Sequence, residues 1–346
     1  MKPASQETVT IHDVARHAGV SSMTVSRVIN KNIKVSDRLR AKVMASIKAL
    51  NYSMNMAARS TRSGMGGVRI GVLYSNPSSS YLNEVMLGGL EQSSRLGCQL
   101  ILEKCSGLAS QKSAMKRLLD AGVDGIILPP PLCDSPATVH MLTKAGIPVL
   151  ALATAKPLEE VSAVRIDDYQ GALTMTRYLI GLGHSKIGFI KGDPTHTPSE
   201  LRFEGFLAGL KEAGLAVNTD WVEDGLFTYR SGLDAGRSLL EKKDKPTAIF
   251  ASNDDMAAAV VAVAHGLHIR IPEDLSVCGF DDTPVASTIW PELTTIHQPI
   301  VAMGRSSVST IFEKIKALKV DAATKPKHHL MKFTLMERGS TGKVPI

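Results

Sequence analysis

From Val68 onward, short apolar runs alternate with helical patterns, and few architectures accommodate that alternation. The runs predicted as strands are Val68–Tyr74, Gln99–Glu103, Gly125–Leu128, Val149–Ala153, Lys186–Ile190, Ala248–Ala251 and Leu275–Gly279. Helical patterns stand between them at Tyr81–Leu96, Ser110–Asp120, Gly171–Leu182, Glu200–Ala213 and Asp255–His265. Gly97, Gly122, Gly146, Gly183, Gly214 and Gly266 close several of these helices. Strands joined through helices form parallel, doubly wound sheets with helices on both faces. About ten strands exceed one compact domain, so two similar α/β lobes are expected. Chain crossings between them are expected near residues 163–168 and 290–300. In such sheets ligands bind past the carboxyl ends of the strands, which here means the cleft between lobes.

The first sixty residues differ in charge. The 346-residue chain carries a net +7, yet residues 1–62 hold 11 Lys and Arg against 3 Asp and Glu, and the remainder is close to neutral. A basic segment on a neutral body points either to a polyanion partner or to a solvated tail, and the residue pattern must decide. Thr10-x-x-Asp13 opens a helix in the manner of a capping box. Ile11, Val14, Ala15 and Ala18 then share one face, and Gly19 supplies a sharp turn. Ser21 caps a second helix, Ser22 to Asn30, with Val25, Val28 and Ile29 inward and Met23, Ser26, Arg27 and Asn30 opposite. Ser36 caps a third, with Leu39, Val43, Ile47 and Leu50 inward and Arg38, Arg40, Lys42 and Lys48 wet. This is the pattern of an all-α helix-turn-helix headpiece whose second helix enters the major groove of double-stranded DNA. Arg27 can donate two hydrogen bonds to guanine, and Ser22 and Met23 can reach base edges. Thr10, Ser21, Thr24, Ser26 and Asn30 offer short polar groups to phosphates. A plain three-helix bundle with a wet face is the alternative.

Several function classes fall away. With 44% hydrophobic and 21% charged residues the chain can bury sizeable cores, and no apolar run approaches the roughly 18 residues of a membrane span. Met1 to Thr10 is polar, without an apolar signal core, and Cys98, Cys105, Cys133 and Cys278 form no CxxC pair, so a cytoplasmic protein with reduced thiols is expected. Gly64-Met-Gly-Gly67 precedes a strand rather than following one, a poor phosphate loop. His328-His329 has the wrong spacing for a helical metal site and reads as a polar pair at a strand edge. Asp167-Asp168 reads as a cap or turn rather than a catalytic dyad. No catalytic group, metal or cofactor is therefore expected. Met331 to Ile346 reads as a strand with a short polar tail and no leucine heptad, which favours a dimer over a zipped tetramer.

The stretch Val9-Thr-Ile-His-Asp-Val-Ala-Arg-His-Ala-Gly-Val-Ser-Ser-Met-Thr-Val-Ser-Arg-Val-Ile-Asn30, with Val35-Ser36 and Leu50-Asn-Tyr52, resembles the headpiece of the LacI/GalR family of bacterial transcriptional regulators. The likeness continues through Gly122-Val-Asp-Gly-Ile-Ile127, Leu182-Gly-His-Ser-Lys-Ile-Gly188, Pro246-Thr-Ala-Ile-Phe-Ala-Ser-Asn-Asp254 and Ser276-Val-Cys-Gly-Phe-Asp-Asp282, which are similar to that family's periplasmic-binding-protein-like core. The resemblance implies a headpiece at 1–52, a hinge at 53–67 and a two-lobed effector-binding and dimerisation core at 68–346. It implies a homodimer on a palindromic operator, with Ser22, Met23 and Arg27 reading bases. It also implies a hinge that folds on DNA and places Asn55, Ala58 and position 61 in the minor groove. Here Thr61 stands where a wedging leucine is usual and Met54 where proline is frequent, so a mere tether remains the other reading of 53–67. In the core, the resemblance implies effector hydrogen bonds from Arg202, Asn253 and Asp281 and stacking by Phe227. Asn76 and Tyr81, after the first core strand, can add contacts from the N-terminal lobe. These residue types suit a sugar or sugar derivative, with a purine as the other reading. Helix capping competes as the role of Asp254 and Asp282. The rivals from other classes are a transporter's solute-binding protein and a sugar-acting enzyme. The expected protein is thus a cytoplasmic, effector-controlled repressor, at the nucleoid when bound to its operator and without a membrane partner.

Overall fold

The computed structural model describes residues 11–29, 36–50, 67–75, 77–320 and 324–344, and the chain separates into two compact units at Gly66–Gly67. The first unit holds helices α1 (Ile11–Ala18), α2 (Ser22–Ile29) and α3 (Asp37–Ala49). Val14, Ala15, Ala18, Val25, Val28 and Val43 form its apolar centre, with Val20, Ile47 and Leu50 packed against it. Gly19 takes the left-handed turn between α1 and α2 at φ 57°. Two local expectations are corrected. Leu39 is only half-buried and lies outside that centre, whereas Ser46 is buried and bonds the Lys42 carbonyl. Ser36 precedes α3 but its side chain makes no capping bond, because the Leu39 and Arg40 amides turn to its backbone carbonyl instead.

The second unit carries two parallel sheets. One has the order β11-β5-β4-β3-β1-β2, built from β1 (Arg69–Tyr74), β2 (Gln99–Lys104), β3 (Gly125–Leu128), β4 (Val149–Leu152), β5 (Ser162–Arg165) and β11 (His328–Leu330). The other has the order β7-β6-β8-β9, from β6 (Ile187–Ile190), β7 (Val222–Glu223), β8 (Ala248–Ala251) and β9 (Ser276–Cys278). All pairs within these two sheets are parallel. An antiparallel pair, β10 (Thr295–His297) with β12 (Thr334–Met336), completes the set. The first lobe's helices are α4 (Ser79–Leu96), α5 (Gly107–Asp120), α6 (Pro136–Lys144) and α12 (Ile300–Leu318). The second lobe's are α7 (Asp168–Gly181), α8 (Thr197–Glu212), α9 (Tyr229–Leu240), α10 (Asp254–Gly266) and the short α11 (Pro284–Thr288). Strands β3, β4, β6 and β8 are buried along their whole length, as sheets covered on both faces require.

The chain crosses between lobes after β5 and after β10, as the alternation predicts. A third crossing was not read from the sequence: β11 returns to the edge of the first sheet before β12 joins the second lobe. His328 and His329 sit on that edge strand, matching the reading of a polar pair. The polar tail is not loose. Ser340 bridges Val277 and Thr294, and buried His184 lies within hydrogen-bond reach of the Thr247 and Ser276 hydroxyls and the Gly342 carbonyl. Gly266 does not close its helix; α10 runs through it and the left-handed turn falls at His268, φ 58°.

Helices α4 and α12 cross backbone to backbone. A Cβ on Gly88 would overlap the Val301 carbonyl, and one on Gly304 would overlap that of Val85, while Gly89 faces only the movable end of Leu100 and Val308. Gly88→Ala is therefore expected to lower core stability by about 1–3 kcal/mol, with Gly89→Ala costing less. Urea unfolding of the two variants checks this; equal midpoints would contradict it.

Candidate functional site

On the head, the burial of Val25 and Val28 turns the opposite side of α2 to solvent. Met23 is 63% exposed, Arg27 and Ser21 are exposed, and Ser22 and Thr24 are half-buried at the helix start. Ser21 Oγ accepts from the Thr24 amide at 3.2 Å and shares a 2.9 Å hydrogen bond with the Thr24 hydroxyl, so the predicted cap is formed. The structure thus gathers Ser21, Ser22, Met23, Thr24 and Arg27 on one short helix and its cap, and Ser26 lies on the same helix. Thr10, Asn30, Asn55, Ala58, Thr61 and Asn76 lie outside the described residues.

In the core, a cleft opens between the carboxyl ends of the two sheets. The first lobe contributes Ser78, Tyr81, Pro130 and Ala153; the second contributes His196, Pro198, Arg202, Phe227, Asn253 and Asp281. Five of the six predicted effector residues therefore share one cleft. His196, Ser78 and the two prolines were not read from the sequence. His196 carried a usable signal: it occupies the N-cap of α8 without capping it, a position that Ser, Thr, Asp or Asn ordinarily fills. The missing cap comes from the other lobe, where Asp134 accepts from the Thr197 amide at 2.9 Å and from its hydroxyl at 2.8 Å.

Arg202 organises the second-lobe wall. Its Nε donates to Asp168 Oδ1 at 2.9 Å, and its Nη1 donates to the Ser252 carbonyl at 2.5 Å and to Asp281 Oδ1 at 3.3 Å. Its flat face lies 3.7 Å from the Phe280 ring centre and 5.7 Å from that of Phe227. Gln298 donates to Asp281 at 2.6 Å. Burial opposes ionisation throughout this cluster. It raises Asp168 against the pull of Arg202, and it pushes Asp281 up to about 7 despite Arg202 and Gln298. Burial also works against the Arg202 charge, but the two carboxylates outweigh it and hold that group above its ordinary value.

Four acids at strand ends have separate tasks. Asp167 caps α7 by accepting from the Gln170 amide at 3.0 Å, as expected, whereas Asp168 is buried against Arg202. Asp254 does not cap α10; Asn253 does, accepting from the Met256 amide at 3.0 Å and donating to the Phe227 carbonyl at 3.1 Å. Buried Asp254 instead accepts from the Thr283 amide at 2.8 Å and the Thr295 hydroxyl at 2.6 Å, which ties down the loop that presents Asp281. Asp282 does not cap α11 either; it pairs with Arg338 at 2.6 Å and His297 at 2.9 Å. The loop is strained, with Asp281 at φ 114° and Asp282 at φ 57°; Phe227 on the same lobe and Ala153 across the cleft also hold positive φ.

The rims of the cleft are joined. Ser78 and Ser80, at the start of α4, donate to the Asp255 carboxylate at 2.7 and 3.2 Å. On the other rim, beside the Asp134–Thr197 bonds, Lys156 pairs with Glu200 at 2.5 Å.

A family model described as bacterial regulatory proteins, lacI family, matches residues 10–55, and one described as periplasmic binding protein-like domain matches residues 176–341. The HTH-type transcriptional repressor PurR of Pectobacterium atrosepticum is 34% identical over 341 residues, covering 97% of this chain and 98% of its own. The ribose operon repressor of Escherichia coli is 33% identical over 336 residues, covering 96% and 99%. Among solved structures, a complex of the transcriptional regulator CelR with cellobiose matches with a TM-score of 0.72 and 31% identity over 96% of this chain and 99% of that one. The lac repressor dimer bound to operator and the anti-inducer ONPF matches with a TM-score of 0.71 and 28% identity, over 97% and 100%.

The raised Asp281 pKa has a consequence for stability. Between its ordinary value of about 4 and its folded value, the folded core holds a proton that the unfolded chain releases. That contribution is present below about pH 4 and is lost as pH rises toward 7. The stability of the parent relative to Asp281→Asn should therefore fall across this window, measured by urea unfolding in a pH series; a flat difference would contradict the assignment.

Proposed function

The chain belongs to the lacI family of bacterial regulatory proteins, and from that premise we propose that it is a sequence-specific DNA-binding repressor whose grip on a palindromic operator is set by a small molecule in the core cleft. It is a regulator and not an enzyme, and it works as a homodimer, the state in which the lac repressor sits on its operator. The reading rests above all on α2, where Val25 and Val28 are inside and Met23 and Arg27 are outside. Arg27 reads guanine through two parallel hydrogen bonds, and Ser22 and Met23 contact base edges at the helix start. Thr10, Ser21, Thr24, Ser26 and Asn30 hold phosphates and set the register. Asn55, Ala58 and Thr61 follow the minor groove, with Thr61 a weaker wedge than leucine.

The effector is a sugar or sugar derivative, contacted by Asn76, Tyr81, Arg202, Phe227, Asn253 and Asp281. Arg202 orients Asp281, and Asn253, whose amide is engaged on both sides, shapes the wall behind Phe227. The ribose operon repressor and the cellobiose complex support this ligand class, while the relatives named PurR favour a purine as the second reading. Among the described residues no helix is long and apolar enough to cross a membrane, and the proposed workplace is the cytoplasm, at the nucleoid when the operator is bound.

A ligand touching both walls changes the relation of the lobes. The 53–67 segment joins the first lobe to the head, so that change alters how two heads of a dimer meet successive grooves. A coupling of about 1–3 kcal/mol shifts operator affinity roughly 5- to 150-fold. Fluorescence anisotropy with palindromic duplexes tests the reading arm. Arg27→Ala should lose about 1–3 kcal/mol of discrimination between matched and mismatched sites. Equal binding of all duplexes by parent and variant would overturn direct readout. Thr61→Leu should tighten binding to the matched palindrome; unchanged or weaker binding in the same titration would remove the wedge role.

A further inference from the structure

Because the strands of each lobe run parallel, the helices that follow them start at strand carboxyl ends. Helices α4 and α6 of the first lobe and α8 and α10 of the second therefore point their amino termini toward the cleft. Such ends carry unpaired amides and partial positive charge, and like ends repel. Bringing the lobes together sets positive ends against each other unless negative charge stands between them. At each rim of the cleft one aspartate stands there.

Asp255 lies in the first turn of α10, in the second lobe. Its Oδ2 accepts from the Ser78 hydroxyl at 2.7 Å and its Oδ1 from the Ser80 hydroxyl at 3.2 Å, both at the start of α4 in the first lobe. Ser78 is the N-cap of α4 and accepts in turn from the Tyr81 amide at 3.3 Å. The carboxylate thus stands between two helix starts, its own and that of the opposite lobe. Asp134 repeats the construction with the lobes exchanged. It precedes Ser135, the N-cap of α6 in the first lobe, and its carboxylate supplies the cap of α8 that His196 does not. The Thr154 hydroxyl holds Asp134 Oδ1 from its own side at 2.6 Å, and the Ala155 amide donates to the Thr197 hydroxyl at 2.9 Å. Hydrogen bonds to a carboxylate are roughly twice as strong as neutral ones, whereas the exposed Lys156–Glu200 pair nearby adds little. All of these bonds join protein groups, so none of them depends on a bound molecule.

We propose that Asp134 and Asp255 are a pair of interlobe latches, charge bridges between opposed helix starts, whose strength sets how far apart the lobes stand in the ligand-free protein and hence its resting grip on the operator. The second half rests on the reading that the relation of the lobes controls the heads. Both aspartates are positioning residues: they act on the operator only through the lobes. An effector then works against, or adds to, a set point that these two side chains fix, and loosening either rim moves that set point the same way.

The test uses the full-length protein without added ligand and reads two quantities: the radius of gyration by small-angle X-ray scattering, and affinity for the matched palindromic duplex by fluorescence anisotropy. Asp134→Asn and Asp255→Asn keep the side-chain shape and remove the bridging charge. Ser80→Ala removes one Asp255 bond from the opposite lobe and leaves the charge and the Ser78 cap in place. Asp274→Asn is the control, the same exchange at a carboxylate whose 2.6 and 2.8 Å bonds to Arg270 lie within the second lobe. Each latch variant should enlarge the protein and shift operator affinity, both rims in the same direction, with the double variant reaching roughly 5- to 150-fold. Ser80→Ala should move both quantities the same way by less, and Asp274→Asn should leave both at the parent's values. A merely structural role would lower the melting temperature of all three Asp→Asn variants and move neither quantity. Latch variants that scatter as the parent does overturn the latches and leave the coupling of lobes to heads standing. Lobes that open without moving operator affinity, or rims that move it in opposite directions, overturn the set point, and the first of these sinks the lobe-coupling reading with it.

Discussion

The buried Arg202 guanidinium is the contact on which the arrangement of the cleft depends. It reaches the start of α7 through Asp168, the end of β8 through the Ser252 carbonyl and the loop after β9 through Asp281. Three segments far apart in sequence are thereby held in one wall. Removing a charge from water costs several kcal/mol, and only close opposite charges with satisfied hydrogen bonds offset that cost. Here two carboxylates and a carbonyl do so, and the Phe280 ring covers the cation's face. Taking away Arg202 would leave Asp168 and Asp281 buried without their ion-pair partner.

Around this cluster lies a second set of residues that hold the cleft-lining groups in place. Asp254 grips Thr283 and Thr295, and so holds Asp281 at a φ of 114° that an unconstrained aspartate seldom adopts. Asn253 closes α10 with its carbonyl and steadies the Phe227 backbone with its amide. Asp134 caps a helix of the opposite lobe, and Asp255 receives two serines from across the cleft. Helix ends that are completed by the other lobe make lobe separation expensive in hydrogen bonds.

Much of this was legible in the sequence. Apolar runs of four residues with Gly closures marked β3, β4, β6 and β8, because a strand buried on both faces has no polar alternation to hide it. The head was legible because caps, turn glycine and helical periodicity all agreed. What escaped was set by contacts over long separations. Nothing near Asp168 distinguishes it from its neighbour Asp167; only Arg202, 34 residues on, does so. Asp254 looked like a cap because the residue before it, Asn253, is an equally good one. The crossing from β11 to β12 escaped because each of those strands has only three residues, too few to carry a periodic signature. His196 could have been noticed as the wrong residue type at a helix start.

The central claim is that operator and cleft ligand bias one and the same equilibrium. Linkage then demands reciprocity: the factor by which ligand changes operator affinity must equal the factor by which operator changes ligand affinity. Calorimetric titration of the ligand into the free protein and into the protein saturated with operator measures the second factor directly. The account predicts a change in ligand affinity that matches the shift seen in operator binding. An identical ligand affinity in both titrations, alongside a ligand-dependent operator affinity, would contradict it.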